Sequence, residues 1–214
     1  MTRLCLSICC LFMVLYANAQ ERKWQYRLGL DAFVAGLVHI ENAPTTTIKD
    51  KNYGAVIPHL QVGRKINEKW TIAAGLGFIR HKSSFRFTSD QDALVNTMEY
   101  LAVPVSVQYK LLNWGGNKSW KLEGAAWNKL LIYHESNLPD LTPYLFYIYP
   151  RFNSYVLNAR LATNVEWNLN NQHSVAVTGF VSRDLTAYLN KHSVLDYIQP
   201  SRYLFGGLGL SYTF

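Results

Sequence analysis

From Trp24 onward, apolar residues alternate with polar or small ones, and the three-to-four-residue rhythm of an amphipathic helix is nearly absent. Eight stretches rich in β-branched and aromatic residues predict strands at 24–38, 54–66, 70–82, 98–111, 119–133, 152–168, 173–183 and 202–214. In the fourth, Leu101, Val103, Val105, Val107, Tyr109 and Leu111 make one unbroken apolar face. Tyr155, Leu157, Ala159, Leu161, Thr163, Val165 and Trp167 make the same face in the sixth. The opposite faces carry Gly29 and Asp31, Gln61 and Gly63, Gly75 and Gly77, and Asn158 and Arg160. An apolar outside around a crowded polar inside suits a barrel closed in lipid; a soluble lipocalin-like barrel requires the reverse.

The connections alternate in length. "NEK", "LNWGGNK" and "LNNQ" join strands 2–3, 4–5 and 6–7, whereas the other four joints take about fourteen to eighteen residues. Short turns at one end and long loops at the other are the plan of an eight-stranded, antiparallel, up-and-down transmembrane barrel. Both termini then lie with the short turns, on the periplasmic side. The final strand, "YLFGGLGLSYTF", puts Leu204, Leu208, Leu210, Tyr212 and Phe214 on one face, and pairing it with the first strand removes the free edge that such a face would otherwise expose. Trp24, Trp70, Trp120 and Trp167 fall at strand ends, where interfacial girdles form. Pro58 and Pro104 lie inside strands and each removes a ladder donor, which predicts a bulge or local twist at both.

The segment before the strands changes the domain reading. Arg3, an apolar run from Leu4 to Tyr16 and "ANA" follow the order of a secretory signal, so residues 1–19 are expected to be cleaved and 20–214 to form the barrel domain. The run is about 13 residues, short of the ~20 that a spanning helix needs. Cys5, Cys9 and Cys10 all lie within it, which leaves no disulfide or thiolate site for the remainder. Without Arg3 the basic residues number 20 against 14 acids, a charge of +6. That excess is scattered and lacks a basic-aromatic platform, so it suits lipid headgroups and not nucleic acid.

"YLAVPVSVQYKL" (100–111), the hairpin "VGRKINEKWTIAAGLGF" (62–78), Gln20 and the Phe214 ending together resemble the Bacteroidetes outer-membrane β-barrel family of PorT-like, porin-family proteins. The architecture is similar to that of small OmpA- and OmpX-type barrels. The resemblance implies outer-membrane residence and no catalytic residue. One branch of that family is linked to a secretion system, and nothing in these residues carries the role across. Tyr212 and Phe214 resemble the C-terminal insertion signal that barrel-assembly machinery reads.

Candidate chemistry is sparse. Arg27, Asp31, His59, Gln108, Glu123, Lys129, Arg160 and Glu166 share lumen-facing parity, and mixed-sign groups inside so narrow a barrel predict a buried structural network. His39, His81, His134 and His192 fall one to each long connection or outer strand end, but no two have the spacing that sets imidazoles on one strand face, so they read as solvated residues and not a metal site. "GGNKS" (115–119) lacks the order of a phosphate loop and reads as a turn. His173-Ser174 and His192-Ser193 point to opposite faces, and Ser182, Asp184 and His192 could form a rim hydrolase only through a particular loop fold. No catalytic, cofactor or metal site is therefore expected. The leading expectation is a non-enzymatic barrel with a structural or surface-interaction role, set beside a narrow solute channel and a rim lipid hydrolase. Its partners would be outer-membrane lipid, the assembly machinery and an external protein met by long loops. The aromatic stretch "ESNLPDLTPYLFYIYP" (135–150) is the candidate contact patch, or else packs on the rim.

Overall fold

The computed structural model describes residues 24–37, 53–85, 94–137, 153–170, 172–187 and 202–214, and every regular element among them is a strand. These are β1 (Trp24–Leu37), β2 (Tyr53–Lys65), β3 (Trp70–Phe85), β4 (Leu94–Trp114), β5 (Lys118–Asn137), β6 (Tyr155–Asn168), β7 (Ser174–Asp184) and β8 (Tyr203–Thr213). They follow one another in chain order around a closed antiparallel barrel. Residues 1–19, His39, His192, Ser193 and most of the 135–150 stretch lie outside the described residues.

Closure runs from Leu37↔Tyr203 to Arg27↔Thr213 and ends on two further bonds, Tyr26 N–H to Phe214 O at 3.0 Å and Phe214 N–H to Tyr26 O at 2.9 Å. The Phe214 ring stacks on Tyr26 with centroids 5.9 Å apart. The alternation predicted from sequence is the one observed: Leu161 and Leu208 stand 69% and 67% exposed on the outer surface, while Arg160 and Gly209 face inward. With water on both sides this arrangement would be unfavourable; hydrocarbon outside the barrel reverses the sign.

The short turns are made locally. Asn67 Oδ1 accepts from the amides of Lys69 and Trp70 at 2.9 and 2.8 Å, and Asn170 Oδ1 accepts from Gln172 and His173 at 2.9 and 2.8 Å. The β4–β5 turn shrinks to 115–117, shorter than predicted, because Gly115 and Gly116 adopt φ of 62° and 72° and let Trp114 pair directly with Lys118. At the other end β3, β4 and β5 extend beyond their predicted limits, to Phe85, back to Leu94 and on to Asn137.

Two expectations need correction. Neither proline forms a bulge; the register shifts lie elsewhere, between β4 and β5 at Glu99/Tyr100 and Lys110/Leu112. Pro58 pairs in register with Leu30 and Pro104 with Trp127, and each instead loses its ladder toward β3. The β2–β3 pairing stops at His59↔Gly77, and the β3–β4 pairing is interrupted opposite Pro104, between Ala74↔Val105 and Gly77↔Ala102. A missing N–H on one side of a strand needs only a missing bond on that side, with no extra residue. The second correction is His81, which is not solvated. It shares the inward parity of Gly77 and Ile79 on β3, is 4% exposed, and packs edge-to-face with Tyr203 at 5.0 Å.

Candidate functional site

Among the described residues, the lumen is where ionisable side chains are brought together from distant parts of the chain. Alternation sets the odd residues of β1 and β5 and the even residues of β6 and β7 inward, and closure then brings groups up to 129 residues apart within bonding distance.

Three levels are distinct. Nearest the short turns, Lys121 pairs with Glu166, and Ser174 donates to the same carboxylate at 2.6 Å. Above it, Arg27 crosses from β1, giving one N–H to Glu123 at 3.1 Å and another to Gln108 at 2.8 Å, while Gln108 donates to Glu123 at 2.6 Å. At the middle, Arg160 crosses from β6 to Asp31 at 2.5 Å, with His59 Nε2 3.5 Å from the same oxygen. The Arg160 guanidinium also lies 3.8 Å from the Phe180 ring centre and 5.3 Å from that of Trp127.

Glycine makes the room. A Cβ at Gly209 would overlap the Asp31 carboxylate, and one at Gly29 would overlap the His59 imidazole. Each of these two side chains thus lies over a neighbouring strand that has no side chain of its own at that point.

All eight lumen residues named from sequence face inward, and seven join the contacts above. The eighth, Lys129, lies nearer the long connections and pairs with Asp184 at 2.6 Å, where Asn158 also donates at 3.0 Å. Sequence reasoning missed Lys121, Ser174, Asn158 and Asp184 as network members. Lys121 shares the parity of Glu123 and was legible on that ground, whereas Asp184 fell one residue past the predicted end of its strand.

The other half of the lumen is mostly apolar around the Lys129–Asp184 pair. Phe33, Ile57, Ile79, Met98, Tyr100, Trp127, Val156, Phe180 and Tyr203 form a buried cluster there, in contrast to the polar interior expected throughout. Free space is divided to match: about 480 Å³ in a vestibule at the short-turn mouth, about 10 Å³ among the Arg27, Asp31 and Arg160 group, and about 30 Å³ within the apolar half. The charged crossings occupy the axis between the two larger spaces.

Among the described residues, the other candidate groups do not assemble. His173 meets the Tyr212 hydroxyl at 2.7 Å while Ser174 bonds Glu166 inside the wall, so the two point apart. Asp184 is engaged by Lys129 and Asn158, and His134 lies exposed on β5. Among the described residues no three His, Cys, Asp or Glu side chains group as metal ligands, and no helix is long and apolar enough to cross a membrane, which says nothing of strands.

A closed antiparallel barrel with an apolar belt outside and salt bridges within defines the class: an integral barrel that crosses a membrane by strands. The sequence model of the outer membrane protein beta-barrel domain family matches residues 18–186, and the chain belongs to that family. It is an outer-membrane barrel. Solved structures of similar fold include Neisserial surface protein A, at TM-score 0.50 and 10% identity over 88% of this chain and 95% of that one. The outer membrane protein OprG of Pseudomonas aeruginosa aligns at TM-score 0.48 and 13% identity over 90% and 96%. The E. coli outer membrane protein W aligns at 0.43 and 9% over 87% and 96%. Likeness at such identity is of fold alone. No curated protein sequence matches the chain.

Proposed function

We propose that this protein is a non-enzymatic, non-conducting outer-membrane barrel of the Bacteroidetes PorT-like kind, which presents long connections to an external partner on a wall braced from within. The observation that carries the reading is the pair of charged crossings, Arg27 to Glu123 and Arg160 to Asp31, which span a lumen just wide enough for side chains. They fill the axis and tie β1 to β5 and β6, which stiffens a platform and opposes a water column. In this reading residues 1–19 are a cleaved signal, both ends of the barrel chain are periplasmic, and the long connections face outward. Tyr212 and Phe214 serve as the insertion signal for the assembly machinery, consistent with the place of Phe214 in the closing pair. Catalysis, a cofactor and nucleic acid have no part in it.

Planar-bilayer recording tests the lumen. The wild-type protein is expected to show no steady conductance, and steady ohmic channels would replace this reading with that of a narrow solute pore. Deleting Phe214 is expected to lower membrane levels and heat-modifiable gel mobility; unchanged values would remove its assembly role. Mass spectrometry of membrane-extracted protein should find residues 1–19 absent, and finding them retained would overturn the signal assignment.

A further inference from the structure

At seven joints of the barrel wall the strands pair along most of their described length; at the eighth only about half does. Between β2 and β3 pairing runs from Lys65↔Thr71 to His59↔Gly77 and, among the described residues, goes no further. Residues 53–58 of β2 then pair with β1 alone, and residues 78–85 of β3 with β4 alone. Pro58 lies at the stop and offers no N–H.

What lies on each side of this seam is apolar. Outside, Val56 and Phe78 are exposed on the lipid-facing surface, and the Arg80–Glu99 pair at 3.5 Å marks the polar boundary just beyond them. Inside is the cavity of about 30 Å³, with Ile57 on one lip, Ile79 on the other, and Phe33, Phe180 and Phe205 behind. Arg160, Lys129, Asn158 and Ser182 also line it; Arg160 and Lys129 are each paired with an aspartate and Asn158 donates to Asp184, so most of the polar lining is already engaged within the barrel.

We propose that this seam is a lateral binding site for a single hydrocarbon chain, carried by a single-chain amphiphile dissolved in the facing leaflet, with the chain end in the cavity. The space admits a chain end and not a whole ring or a double-chain lipid, so the rest of the ligand must lie between the lips. Parting the lips there breaks no ladder hydrogen bond, whereas parting a paired joint leaves backbone groups unsatisfied in hydrocarbon. A polar ligand would lose its water against Ile57, Ile79 and Phe33 at the lips, whereas an alkyl chain gains by the same contacts. The site rests on the membrane-spanning wall and not on the proposed role of the long connections, so either can fail alone.

Trp127 lines the cavity and reports on it. In vesicles of unbrominated phosphatidylcholine, a variant with the five other tryptophans changed to Phe should lose Trp127 emission on addition of terminally brominated hexadecanoic acid, but not of plain hexadecanoic acid. Cysteines at the facing lip positions, Val56→Cys with Arg80→Cys, should abolish the loss when oxidised and restore it when reduced. If the five replacements prevent folding, Trp127→Phe on the otherwise unaltered chain should remove the brominated-acid-sensitive, acrylamide-resistant part of the emission. No quenching of Trp127, or quenching indifferent to the cross-link, would overturn the proposal. Equal quenching by a phospholipid brominated at its chain ends would overturn the single-chain ligand.

Discussion

The two halves of the lumen are built from the same alternating strands and held by different physics. In the half nearer the short turns, Arg27, Glu123, Gln108, Lys121 and Glu166 satisfy one another across the barrel, and direction and partner matter. In the half nearer the long connections, Phe33, Ile57, Ile79 and Val156 pack by contact area beside the Lys129–Asp184 pair, and one side of the wall lacks part of its ladder. Arg160 joins the two, bonded to Asp31 and stacked on Phe180. The contrast teaches that a directional network needs a wall of fixed register, while an apolar filling tolerates a seam. Shape mismatch costs an apolar group only its contact area, but it leaves a charge unpaired.

The comparison breaks most sharply at its joint. Arg160→Ala leaves Asp31 buried without its main partner and should cost about 3–5 kcal/mol in urea unfolding of the lipid-folded barrel. The double variant Asp31→Ala/Arg160→Ala should recover part of that loss; strict additivity would show that the pair does not couple. In the apolar half, Ile79→Ala should cost about 2 kcal/mol, the low end for such a truncation, because a lip with no ladder toward β2 can close over the missing volume. A cost equal to that of Arg160→Ala would mean that the seam is as rigid as the rest of the wall.

A smaller effect should come from Pro58→Val, which returns a donor to β2. If the proline alone stops the zipper, amide exchange at residues 54–57 and 79–82 should slow, with about 1 kcal/mol gained per bond formed. Unchanged exchange would place the cause of the seam in β3. The smallest effect is local to the other end: Asn170→Ala removes one side-chain acceptor from two amides of the β6–β7 turn and should cost about 1 kcal/mol, without altering exchange at the seam.

Much of the fold was legible in the residues. A period of two in side-chain direction is a local property, so the inward and outward sets, including Arg27, Asp31, Glu123 and Arg160, could be read from the alternation alone. Loop lengths sorted the two ends. Strand limits were legible only loosely, since strands end where their neighbours stop pairing, and the outer reach of β3, β4 and β5 shows this.

What the residues determined by themselves was parity, strand number and the need for lipid outside, because each depends on one strand and its solvent. Partner choice was decided by the closed barrel. Shear between strands sets which inward group meets which, so Arg160 finding Asp31, Lys129 finding Asp184 and His81 reaching Tyr203 could not be read from spacing. The effect of the prolines was decided there too. A missing N–H is written in the chain at Pro58 and Pro104, but which neighbouring strand loses the bond depends on the side of the strand from which that N–H would have pointed, and only the assembled sheet fixes that.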